Sequence, residues 1–226
     1  MKSFFGIILL LLLFTPIGMV EAQTQESQAL DLSTYTWDKS TLNVLIVEAD
    51  GQSWWRPEYT SAATKAIDDW NQAISYFSSK HSEYAYLSGL KLVLDVSKDF
   101  KPGYDVYVNF TLTIIDNGGI ILGRATTYPS SNGIIDQCMI ILTTSAELLS
   151  LNNDGIRNVA THELGHALGL GHSNSTSDLM YANNDLIFSK NKISNLDFIG
   201  VAVLFDWMKT GAPPKSQVRD SIVLPS

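Results

Sequence analysis

Residues 162–172 read His162-Glu163-Leu164-Gly165-His166-Ala167-Leu168-Gly169-Leu170-Gly171-His172, which gathers three of the chain's four histidines and one glutamate into eleven positions. An α-helix turns about 100° per residue, so His162 and His166 fall within about 40° of each other, one turn apart, with Glu163 about 100° from His162. These three side chains share one sector. Ala160, Leu164, Ala167 and Leu168 fall on the opposite one, so the segment has a core face and a chemistry face. Asp154 reads as the N-cap of a helix over residues 155–168.

Two imidazoles do not complete a catalytic zinc site; a third ligand must come from beyond the helix while the fourth position stays open. Gly169 reads as the helix break, because glycine takes a positive φ at little cost and lets the chain return His172 to the metal. Three neutral imidazoles leave zinc its full double charge, enough to lower the pKa of a bound water toward about 7. Glu163 is then placed as the general base for that water and as the later donor to a leaving amine. With this chain's residue frequencies, a chance match has a probability on the order of a few in a million. A helix carrying histidines without metal, and a zinc protein without turnover, are the two alternatives.

This pattern resembles that of the metzincin zinc peptidases, and the residues around it are most similar to the matrixins, the family of the matrix metalloproteinases. Ser173 directly follows the last histidine, and Ser177-Asp178-Leu179-Met180-Tyr181 resembles the matrixin Met-turn, whose methionine forms an apolar floor beneath the metal. Tyrosine stands immediately after Met180, whereas in astacin-like and serralysin-like relatives the zinc-approaching tyrosine comes two residues later. Residues 193–205 resemble the matrixin C-terminal helix. By that resemblance Asp197 hydrogen-bonds to the Met-turn, while Leu196 replaces an aspartate that receives the mature N-terminus in many members. Upstream, a strand over residues 42–47 precedes a helix whose apolar stripe (Ala63, Ala66, Ile67, Trp70, Ala73, Ile74, Phe77) follows a three-and-four spacing. The resemblance spans about residues 37–208.

The departures narrow what the resemblance implies. Matrixins usually hold a second, structural zinc with histidines and an aspartate, but the remaining histidine here, His81, lies far upstream, and Arg124 stands near one expected ligand position. One zinc is therefore expected. Ala182-Asn183-Asn184 replaces the proline after the Met-turn tyrosine. Asp116-Asn117-Gly118-Gly119 resembles a family loop that can bind calcium, and a plain turn between strands is the simpler reading. Cys138, the sole cysteine, excludes an intrachain disulfide and sits in an apolar run that reads as a buried strand. No cysteine upstream of the domain can act as the zymogen latch of the family.

Residues 1–22 read as a secretory signal peptide: Lys2, an apolar run from Phe4 to Phe14, then Val20-Glu21-Ala22. The run is short for a membrane anchor, although an uncleaved anchor is the alternative, and no later stretch offers about twenty apolar residues. Net charge is −8, and removal of Lys2 with Glu21 leaves it unchanged, a balance that argues against nucleic acid as a partner. Residues 23–36 read as a short polar segment, 37–208 as one catalytic domain and 209–226 as a flexible tail with Pro213-Pro214. Asn109 and Asn174 head weak glycosylation patterns.

The expected fold is α+β: a twisted mixed sheet backed by two long helices, the second carrying the first two zinc ligands, closed by a C-terminal helix that starts at Ser194 and Asp197 as a capping box. The expected function is that of a secreted, monomeric zinc endopeptidase acting on proteins or peptides, which would pair with an edge strand around residues 120–125. The rival is a zinc-stabilised extracellular binding module with little turnover; a structural protein without metal is a third reading.

Overall fold

A computed structural model describes residues 27–116, 119–146, 149–182, 192–212 and 221–224 of the 226-residue chain; the expected signal peptide lies outside them. In chain order the elements are β1 (Gln28–Leu32), β2 (Thr41–Val47), α1 (Pro57–Lys80), β3 (Lys91–Ser97), β4 (Val106–Thr111), β5 (Ile114–Asp116), β6 (Gly119–Ile121), β7 (Gly123–Pro129), β8 (Ile135–Thr143), β9 (Ser145–Ala146), β10 (Leu149–Ser150), α2 (Asn153–Ala167), β11 (Leu170–Ser173), α3 (Asn195–Leu204) and β12 (Ser221–Leu224).

The main sheet has the order β3-β2-β4-β8-β7, with β7 alone antiparallel, running against β8 along one edge. Parallel neighbours need a crossover, and α1 with the 3-10 segment Ser82–Gly89 supplies the one from β2 to β3. This is the α+β architecture expected. Val44, Leu45 and Ile46 on the inner strand β2 are all fully buried, so the strand is covered on both faces, which explains its continuous apolar run.

Helix α1 starts at Pro57, where a missing N–H costs nothing, with Glu58 in its first turn and Lys80 in its last, both favourable to the helix dipole. Its buried stripe is the predicted one except at Ala73, which is half-buried, with Tyr59 and Ala62 extending it. Trp70 is fully buried and donates its indole N–H to the Thr161 carbonyl at 2.8 Å, pinning α1 to the helix that carries the histidines. Asp69 and Arg157 join the same helices by a two-point ion pair (2.7 and 2.5 Å). Trp70→Ala should cost about 3–5 kcal/mol of stability, measured by denaturant unfolding; a loss below about 1 kcal/mol would mean that this anchor does not hold the two helices together.

Two boundaries differ from expectation. The N-cap of α2 is Asn152, not Asp154: the Asn152 side chain accepts from Gly155 N at 2.7 Å, which starts the helix two residues earlier and leaves Asp154 in its first turn. The tail expected to be flexible contributes β12, which pairs antiparallel with β1, and β1 in turn pairs with β11. The upstream polar segment is thus partly a strand, with Leu30 and Leu32 buried against Leu170 and α3. Asn174 is held there through bonds from Ala29 N and to Ser27 O, so its side-chain amide has structural partners.

α3 begins at the predicted capping box, with Ser194 Oγ accepting from Asp197 N at 3.1 Å and Asp197 Oδ2 accepting from Ser194 N at 2.7 Å. Among the described residues no helix is long and apolar enough to cross a membrane.

Candidate metal centre

His162 and His166 stand one turn apart near the C-terminal end of α2. The helix stops at Ala167, Gly169 takes φ 103°, and the chain returns as β11 with His172 on it. This reversal brings the three rings together, with centroids 4.7 Å apart for His162 and His166, 4.8 Å for His166 and His172, and 5.6 Å for His162 and His172. One ring nitrogen from each lies within 4.8 Å of the others, a cluster that could hold a metal ion. Their exposure is graded: His162 is buried, His166 intermediate and His172 exposed.

The chemistry of the donors fits zinc. His162 Nδ1 lies 2.8 Å from the Leu179 carbonyl and His166 Nδ1 lies 2.8 Å from the Leu170 carbonyl. A carbonyl accepts only, so each Nδ1 carries the hydrogen and each Nε2 keeps its lone pair for a metal. Burial pushes His162 down to about 4 and His166 down to about 3, and lowers His172 as well, so all three are neutral at pH 7. Neutral imidazole is the form a metal requires.

Glu163 is buried beside them, and burial raises its carboxyl to about 7, against the opposing effects of a hydrogen bond from the Ala125 backbone and the nearby Arg124 charge. A carboxyl poised near neutrality can both take and return a proton. It packs against β7 at Gly123, where an added Cβ would sit 2.6 Å from Glu163 Oε1 and 2.8 Å from Val159 Cγ1. Met180 is fully buried, and its sulfur lies against Gly165, the helix position with no side chain to displace it. The methionine thus sits under the helix that carries two of the histidines.

The three histidines, Glu163, residues 121–125 and Ala182 line one cleft of about 350 Å³. A larger hollow of about 700 Å³ opens between α1 and α2 beside the Asp69–Arg157 pair, and none of the three histidines lines it. The strand expected over residues 120–125 is split at Leu122: β6 ends at Ile121, and β7, starting at Gly123, is the edge of the main sheet among the described residues. Arg124 is ion-paired with Asp116, opposite Gly119 across the β5–β6 hairpin, so this carboxylate is engaged by a cation; Asn117 and Gly118 lie outside the described residues.

His81 is the C-cap of α1, exposed and against Phe77, and is not part of the cluster. Cys138 is fully buried, and burial pushes its thiol up to about 12, so it is an inert core residue. Sequence reasoning missed the Leu179 and Leu170 carbonyls and the contact at Gly123. Carbonyls carry no residue-type signal, but a lone glycine entering a strand pattern does mark a close backbone approach.

Over residues 36–206 the sequence matches the family model described as Matrixin. That span runs from before β2 to beyond α3, so it takes in the whole main sheet as well as the histidine cluster. The fold and the histidine cluster thus agree with the sequence match, and the chain belongs to the matrixin family of zinc metallopeptidases.

Proposed function

We propose that this chain is a secreted zinc-dependent endopeptidase. The observation that carries the reading is the placement of a buried, near-neutral Glu163 against three neutral imidazoles in a cleft bordered by a free sheet edge. His162, His166 and His172 would hold one zinc, which when bound supplies Lewis acidity that polarises the scissile carbonyl and acidifies water. Glu163 takes the proton from the attacking water and delivers it to the leaving nitrogen, so no covalent intermediate is needed. Among the described residues β7 is the end strand of the main sheet and lines the cleft, and an extended substrate would add to that edge. The signal-like segment at residues 1–22 supports export.

Incubating the purified chain with an unfolded protein and reading the fragments by mass spectrometry tests the proposal. Internal cleavage should occur, stop with a zinc chelator and return with added zinc. Removing the metal should also lower the melting temperature, because only the folded state presents the three ligands together. Stoichiometric zinc binding without any cleavage would instead favour the binding-module reading.

A further inference from the structure

Met180 and Leu179 belong to a turn whose other anchor is a carboxyl pair. Asp178 on the turn and Asp197 on α3 are 3% and 0% exposed. Asp178 Oδ1 accepts from Met180 N at 3.0 Å, and its Oδ2 accepts from Ser194 Oγ at 3.3 Å. Asp197 Oδ2 accepts from Ser194 N, but its Oδ1 is buried and takes no hydrogen bond from a nitrogen or hydroxyl donor among the described residues. Ser194 bridges the two carboxyls, and the Asp197 side chain stands in hydrogen-bonding contact with that of Asp178. Two ionised carboxylates have no hydrogen to put between them, and two buried like charges repel strongly. A single proton resolves both difficulties.

We propose that Asp178 and Asp197 share one proton, and that this carboxyl-to-carboxylate hydrogen bond latches the Met180 turn to α3 and so holds the Leu179 carbonyl against His162. The chain of contacts is continuous: α3 through Asp197, the turn through Asp178, the adjacent Leu179 carbonyl, then His162 Nδ1 at 2.8 Å. Asp178 and Asp197 are therefore positioning residues, acting on the ligand set through the turn. The first half of the proposal is independent of metal; the second rests on the reading of His162 as a zinc ligand.

Burial, and after it the Asp178 charge, hold the Asp197 carboxyl well above the usual carboxylate range, while the Ser194 hydrogen bonds oppose them. His162 on α2 is a further titratable group that senses the Asp178 charge. Because the folded-state value is raised, the linked stability is complete below the unfolded carboxylate pKa and drains away as pH rises through the folded value.

Melting curves of the full-length, metal-free chain between about pH 5 and 10 read this directly. In Asp197→Asn the amide nitrogen takes the place of Oδ1 and donates to Asp178 without needing a proton. Wild type and variant should melt together at the acid end, and wild type should fall below the variant by about 2–8 °C at the alkaline end. Parallel curves overturn the shared proton. If the variant does not fold, carbon NMR of aspartate-labelled wild type decides: one protonated aspartate carboxyl at neutral pH supports the proposal, and full ionisation overturns it. The latch is read separately from zinc affinity, where wild type should weaken relative to Asp197→Asn as pH rises, and a constant ratio overturns it. Failure of both proteins to bind zinc at any pH would count against the metal reading and leave the melting comparison to judge the proton.

Discussion

Glu163→Gln should lower the rate of peptide cleavage by about a hundred- to ten-thousand-fold while zinc remains bound. Glutamine keeps the size of the side chain and an oxygen that can accept from the Ala125 backbone, so the wall of the cleft stays in place. What it lacks is an oxygen that can take a proton. Glu163 is suited to that task because burial has moved its carboxyl up to about 7. The check is a comparison of kcat, zinc content and melting temperature in the two proteins. Equal kcat would remove Glu163 from the mechanism; loss of zinc together with activity would mean that the glutamate supports the metal rather than the proton transfer.

The second large effect is expected at a residue with no reactive group. In Gly123→Ala the new methyl carbon would meet Glu163 Oε1 at 2.6 Å, Glu163 Cγ at 2.7 Å and Val159 Cγ1 at 2.8 Å, all well inside van der Waals contact. Val159 is fixed in the core on α2, so the strand must draw away from it, and Glu163, bonded to the strand at Ala125, is displaced. Moving a catalytic group by about 1 Å costs on the order of a hundredfold in rate. Gly123→Ala should therefore lose about that factor in kcat and bind zinc as the wild type does, checked by steady-state kinetics beside metal analysis. An unchanged kcat would show that β7 does not set the position of Glu163.

These two residues differ in how openly they declare themselves. Glu163 is legible because its neighbours in sequence are its neighbours on one helix face, and helical spacing converts directly into geometry. The α1 stripe and the Ser194 and Asp197 capping box are legible for the same local reason. Gly123 gains its role only when β7 is laid over α2, forty residues later in the chain, and nothing in its own stretch names Glu163.

The elements misread were those decided by distant partners or by close competition. β1 and β12 are short enough to pass for loose ends; they become strands by pairing with each other, β1 also with β11, and the contacts of Leu30 and Leu32 become apparent only once α3 is in place. At the start of α2, Asn152, Asn153 and Asp154 are all good cap formers, and the choice among them depends on which side chain reaches a free N–H. Likewise the three histidines were legible as a metal set, but the carbonyls that fix their tautomers were not. Asp197 was expected at the Met-turn by resemblance; that it meets a second buried carboxyl there follows from Asp178, whose aspartate identity alone would suggest an exposed turn residue.

The central claim is that a single zinc on His162, His166 and His172 makes this chain a peptidase. Titrating metal-free protein with zinc while following cleavage of an unfolded substrate tests it most directly. The rate should rise in proportion to added metal and level off at one equivalent per chain. A break at two equivalents would contradict the single site, and saturation without cleavage would contradict the activity.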